Sequence, residues 1–223
     1  MSGANKRVIE SLGLRKGVLN CIRHSSYPWL NSPDDPIKIT QKFEYHLFMK
    51  SNEVSKGDIT KIARCSCGKI EIEAFGAPIA STVCYCDTCQ EGSGQIEALA
   101  NAAPILSPDG GTAYILYRKD RIKYSKGTEL LKGYKIDEKS TTSRVVATCC
   151  NSAMVMRLDD VMHWVPIYRG RFHDDMPPLQ WRICTKFKPA NAEIPNDVPI
   201  PTMYPAGLMW KLLTSKISMM LGK

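Results

Sequence analysis

The chain has 223 residues and a mass of 24.9 kDa, the length of one ordinary domain with additions at its ends. Hydrophobic residues make up 43% and charged residues 23%, which excludes an intrinsically disordered chain, and no apolar run approaches the roughly 20 residues that span a bilayer. Thirty Lys and Arg against 22 Asp and Glu give a net charge of +8, a moderate excess that permits nucleic acid as a partner without favouring it. The opening residues, MSGANKRVIESLGLRKG, lack the apolar stretch of a secretory signal, so a cytoplasmic or nuclear location is expected.

Residues 1–60 read as an N-terminal extension. A short helical pattern at Val8, Ile9 and Leu12 leads into a loop punctuated by Pro28, Pro33 and Pro36, and IKITQKFEYHLFM follows as a strand or a short helix. From residue 61 the pattern tightens. CSCGKIEIEAF alternates, with Ile70 and Ile72 on one face and Lys69, Glu71 and Glu73 on the other, which predicts a half-buried strand. IASTVCYC predicts a second strand, and DTCQEGSGQIEALANAA a turn and then a short helix. TAYILY, RIKYS, LLKGYKI, SRVVATC, AMVMRL and MHWVPIY are further short strands, so residues 61–172 are expected to form a mainly β domain of antiparallel sheets. Residues 173–223 read as a proline-rich wrap closing in an amphipathic helix. Leu208, Met209, Leu212, Leu213, Ile217, Met220 and Leu221 recur there at helical spacing, a face that could dock on its own domain, pair with a second subunit in a homo-oligomer, or lie on a lipid surface, with docking on the domain or a subunit preferred.

Nine cysteines are too many for chance, and the odd number argues against a disulfide framework. Cys65 and Cys67 lie two residues apart, where two thiols on a strand share a face and can reach one ion. They need two more donors, and Cys149 and Cys150, more than eighty residues later, are the obvious ones. Neighbouring residues of a regular strand point to opposite faces, so this adjacent pair requires a bulge or a turn to reach one ion. Cys84, Cys86 and Cys89 differ: three thiols within six residues can hold an ion and leave a fourth position vacant, the arrangement of a catalytic metal. Thiolates favour zinc over magnesium or calcium, so two zinc ions per chain are expected. Cys21 and Cys184 read as ordinary buried side chains, and His163 as a packed strand residue.

CSCG, then CYCDTCQ, then a late cysteine pair among strands resembles the glutathione-dependent formaldehyde-activating enzyme family, which also contains centromere protein V. That resemblance covers roughly residues 60–170. It implies an Mss4-like zinc fold, a structural ion on the CxCG and late pairs, and substrate chemistry at the triplet. Several positions depart from the family pattern: Tyr85 stands for the usual His, Gln90 for the frequent Arg, and Asn151 for a Gly. The first cysteine of the late pair would fall at Ala147, with Cys149 as the nearest replacement.

The resemblance implies a carbon–sulfur lyase handling a small thiol, such as glutathione, in an adduct with an aldehyde. On this reading Asp87 is a candidate proton carrier. The basic run containing Arg118, Lys119, Arg121 and Lys123 is a candidate receiver for the thiol's carboxylates. The competing reading is a non-catalytic zinc module that binds a protein or nucleic acid.

Overall fold

The computed structural model describes residues 60–158, 162–173 and 175–223; the expected N-terminal helix, loop and following segment lie outside these. Ten strands form two sheets. β1 (Thr60–Arg64), β2 (Glu71–Phe75) and β5 (Ile122–Lys126) make a small antiparallel sheet in the order β1-β2-β5. The large sheet joins β3 (Ala80–Cys84), β4 (Thr112–Arg118), β6 (Leu131–Tyr134), β7 (Ser143–Ala147), β8 (Ser152–Arg157), β9 (Trp164–Tyr168) and β10 (Trp181–Ile183). Its order is β10-β3-β4-β9-β8-β7-β6. Helices α1 (Asp87–Glu97) and α2 (Ala206–Met220) complete the described elements of regular length.

The mainly β expectation holds, with three local corrections. The CSC motif is not on a strand: β1 ends at Arg64 and the cysteines occupy the turn that returns the chain into β2. α1 begins at Asp87, directly inside the triplet, with no intervening turn. The proline-rich stretch hides a strand, β10, which pairs parallel with β3 and makes the large sheet mixed rather than purely antiparallel. Three residues are too few for an alternation to register in the sequence.

Alternation explains the layering. On β4, Ile115 and Tyr117 face the small sheet, where they join Ala63, Ile70, Ile72 and Ala74; Tyr114 and Leu116 face the helices. Both faces are thus buried, and the strand reads as a continuous apolar run because of it. α2 covers the helix-side face through Leu208 and Leu212, while Trp210, Ile217, Met220 and Leu221 remain exposed. The apolar face predicted for this helix is therefore used only along its first half. Among the described residues no helix is long and apolar enough to cross a membrane.

His163, at the entry to β9, pins α2 to the sheet: its Nε2 lies 2.8 Å from the Ser215 hydroxyl, which itself donates to the Leu212 carbonyl. Burial disfavours the imidazolium and pulls the His163 pKa down to about 4. The unfolded chain takes up this proton near pH 6.5, well before the folded one does. Stability from this site is intact above about pH 6.5 and falls as pH drops towards 4. Urea unfolding at pH 7 and pH 5 should show this slope, and His163→Gln should flatten it relative to the parent chain.

Candidate metal centres

The first cysteine cluster joins the tips of two hairpins. Gly68 (φ +72°) closes the Cys65–Gly68 turn, its N–H donating to the Cys65 carbonyl at 3.0 Å. The β7–β8 turn brings Cys149 and Cys150 opposite, and Asn151 reverses the chain in the left-handed region (φ +51°). This is the turn that the adjacent pair required, with Asn in place of Gly. The sulfurs are 3.6 Å apart for Cys65–Cys67, 3.3 Å for Cys67–Cys149, and 3.9 Å for both Cys65–Cys149 and Cys149–Cys150. A tetrahedron with 2.3 Å zinc–sulfur bonds has edges of about 3.8 Å, so the donor set fits that ion.

Surrounding polar groups support an anionic cluster. The Ile70 N–H points at the Cys65 sulfur, 3.3 Å away, and Ser152 hydrogen-bonds Cys150 at 3.1 Å and Ser66 at 2.9 Å. Arg171 donates to the Ser66 hydroxyl at 2.9 Å and lies within electrostatic reach of Cys150 and Cys65. Burial and neighbouring thiols raise Cys149 above the usual thiol range. Burial also opposes a Cys150 thiolate, but hydrogen bonds from the Ser152 hydroxyl and the Cys67 backbone outweigh it and bring its pKa down to about 6.

The second cluster is built at the junction of β3 and α1. Cys84 ends the strand, Cys86 caps the helix, and Cys89 lies on its first buried turn. Cys84 and Cys86 sulfurs are 3.4 Å apart, and all three lie within 4.8 Å of one another. Contact with the Cys184 thiol, then with Cys86, pushes Cys84 well above its ordinary pKa, while the thiols of Cys84 and Cys86 and burial do the same to Cys89. Three such thiols ionise together only with a cation among them. Cys184, buried on a left-handed turn (φ +59°), touches Cys84 but lies outside the set of mutually close sulfurs.

Two arginines that the sequence reading passed over frame this cluster. Arg144, only 2% exposed, comes from β7 and has no carboxylate partner among the described residues. Its guanidinium donates to the Thr88 carbonyl and to the Thr142 hydroxyl at 3.3 Å, and feels the charge of Cys89 and Cys86. Arg182 of β10 donates to the Tyr85 hydroxyl at 2.7 Å and to Asp109 at 3.2 Å, and holds Asp197 at 2.8 and 3.1 Å. Tyr85 in turn donates to Asp109 at 2.7 Å, so the residue in the family's His position is a fully buried anchor for the loop. Gln90, in the frequent Arg position, donates to the carbonyls of Tyr85 and Phe187.

The other predicted site residues lie elsewhere. Asp87 is exposed in the first turn of α1, a position that favours an acid against the helix dipole. Arg118 stands six residues along β4 from Thr112, the partner of Cys84, hence about 20 Å from the triplet. Its guanidinium is held by Asp120 and the Lys223 carbonyl. Lys119 and Arg121 occupy the adjoining turn and Lys123 lies exposed on the small sheet. The basic run does not reach the triplet.

What does reach it is a partly open cavity of about 90 Å³, one wall of which is Cys84, Cys86 and Cys89. Alternate residues of three strands, Thr82 of β3, Tyr114 and Leu116 of β4, and Trp164 and Pro166 of β9, form its floor, and Leu208 and Leu212 of α2 face them. Period-2 spacing could have identified the floor; the partnership with α2, some 120 residues from the triplet, left no local trace.

A model of the glutathione-dependent formaldehyde-activating enzyme family matches residues 60–105, which carry the CxCG pair and the triplet, so the resemblance holds over that segment. No curated protein matches the chain. A crystal structure of a Rhodobacter sphaeroides protein aligns at a TM-score of 0.37 with 15% identity, covering 52% of this chain and 91% of that one.

Room for Arg144 is made by Gly92: a Cβ there would lie 2.3 Å from its Nε. Gly92→Ala should therefore cost about 1–3 kcal/mol through overpacking. Gly94→Ala, whose Cβ meets nothing within 4 Å, should be neutral or slightly stabilising. Urea unfolding of the two variants side by side checks this.

Proposed function

We propose that the chain is a zinc-dependent carbon–sulfur lyase that makes and breaks the adduct of a small thiol with an aldehyde. The observation that carries this reading is that the triplet forms a wall of a cavity, where a ligand sulfur has access. By contrast, the Cys65, Cys67, Cys149 and Cys150 sulfurs already supply the four donors that a closed site needs. A zinc ion held by the triplet would stabilise an incoming thiol as its thiolate. In the forward direction a carbon–sulfur bond forms as the carbonyl π bond opens, and the proton lost by the thiol ends on the new hydroxyl.

The chain's own residues support this chemistry. Arg144 places one positive charge beside three thiolates, in a setting of low dielectric where that charge acts strongly. The Tyr114 hydroxyl, 3.8 Å from the Cys89 sulfur, is the polar group on the cavity floor best placed to meet a hydroxyl of the adduct. Burial and the neighbouring Cys89 hold Tyr114 well above the ordinary phenol range, so it acts as a neutral donor.

Elemental analysis of protein prepared without chelator should return two zinc ions per chain; less than half an equivalent overturns the assignment. Cys67→Ser should lower stability severely, because it opens the stapled hairpins, whereas Cys86→Ser should lose small-thiol binding by calorimetry with a smaller loss of stability. Comparable instability of the two variants would make the triplet structural.

A second reading, that of a non-catalytic zinc module, draws on the Cys184 thiol beside Cys84. If Cys184 completed the triplet site, Cys184→Ser should cost one zinc equivalent and leave no thiol binding. On the lyase reading this variant keeps two zinc ions and full thiol affinity.

A further inference from the structure

The cavity beside the triplet carries a chemical signature of its own. Outside the three cysteines, none of the described residues that line it bears a charge. Met156, Met162, Trp164, Tyr204, Leu208 and Leu212 line it, and the hydroxyls of Thr88 and Tyr114 approach the Cys86 and Cys89 sulfurs. Glutathione brings two carboxylates and an ammonium, and formaldehyde brings no carbon substituent at all. Neither accounts for a partly open, mostly apolar chamber. Among the described residues, the guanidinium that reaches this wall, that of Arg144, spends its Nη1 and Nη2 groups on Thr142 and Thr88, and the basic run from Arg118 lies at the far end of β4.

We infer that the cavity is a specificity pocket for an uncharged, apolar substituent attached within a few bonds of the reacting sulfur, so that the preferred adduct is larger and more lipophilic than that of glutathione with formaldehyde. This rests on the lyase reading given above. At about 90 Å³, against the 10–15 Å³ that one water centre needs, the chamber takes on the order of six to nine heavy atoms, the size of a hexyl or benzyl group. Two flexible methionines suit a range of shapes within that size. The substituent displaces water from the apolar floor, and each methylene that enters should tighten binding by about two- to fourfold.

The apolar group could enter on the thiol or on the aldehyde, and two titration series separate these sources. In the first, zinc-loaded protein is titrated calorimetrically with ethanethiol, butanethiol, hexanethiol, benzyl mercaptan and glutathione. In the second, 2-mercaptoethanol is held constant, and its adduct formation with formaldehyde, butanal and hexanal is followed by the rate at which carbonyl is consumed. A gain of at least tenfold from the shortest to the longest member of either series supports the pocket and says which side of the adduct fills it. Leu212→Trp, which fills the chamber, and Leu158→Lys, which charges its half-buried lining, should each erase the gain. Using both guards against one variant failing to fold.

Flat responses in both series, with 2-mercaptoethanol still bound, overturn the pocket and leave the lyase reading intact. If no thiol binds but hexanol does, competitively with hexanal, the pocket stands and the lyase reading falls. Binding of neither class overturns both.

Discussion

Seven sulfur atoms held closer together than anionic groups tolerate are the constraint on which the rest of this structure depends. Thiolates at 3.3–3.9 Å repel, and buried thiols at the same distances are poor company unless a cation sits among them. The fold is arranged to impose this proximity. Two hairpin tips from different sheets meet in one cluster, and a strand end and a helix start meet in the other. Each cluster has one arginine within electrostatic reach, Arg171 for the first and Arg144 for the second, which offsets part of the excess negative charge that four or three thiolates would leave around a divalent ion.

The two clusters differ in what surrounds them, and that difference separates their roles better than the cysteine counts do. Around the first, hydroxyls and a backbone N–H group reach the sulfurs from the protein side, and Cys67 is exposed to solvent. Around the second, the protein withdraws. β3, β4 and β9 present alternate residues as a smooth floor, and α2 stands off far enough to leave space. A cysteine-bearing loop next to an apolar chamber is braced by the Tyr85–Asp109–Arg182–Asp197 network, so the sulfurs are held rigidly while the methionine-lined chamber beside them can adapt.

Much of the site was legible from spacing alone. The single residue between thiols in CSC, and the compact triplet, are local patterns, and local patterns survive in one dimension. Asn151 could be read too, since an adjacent cysteine pair demands a turn, and a turn of that kind demands a residue that accepts positive φ. What was hidden is long-range. Arg144 looks like any other β-strand arginine, and only the absence of a Cβ at Gly92, more than fifty residues earlier, makes space for it. The basic run from Arg118 was legible but misleading: charge density says nothing about which end of a strand a side chain occupies. β10 was masked by its prolines, because a parallel edge strand of three residues needs no alternation and borrows its hydrogen bonds from β3 and from the Pro199 carbonyl.

The staple between Cys65 and Cys149 spans 84 residues of chain, and this separation bears on how the protein comes into being. Closing a loop of that length costs about 4–5 kcal/mol of chain entropy by the usual estimate for cross-links, against which an empty cluster offers only mutually repelling or buried thiols. An ion with high thiolate affinity reverses that balance and does so only after both hairpins exist to be joined. On the proposed zinc assignment the order of assembly follows: local hairpins first, metal second, the packed interface between sheets last, so that chains made without the metal would stay incompletely assembled, open to proteolysis and thiol oxidation.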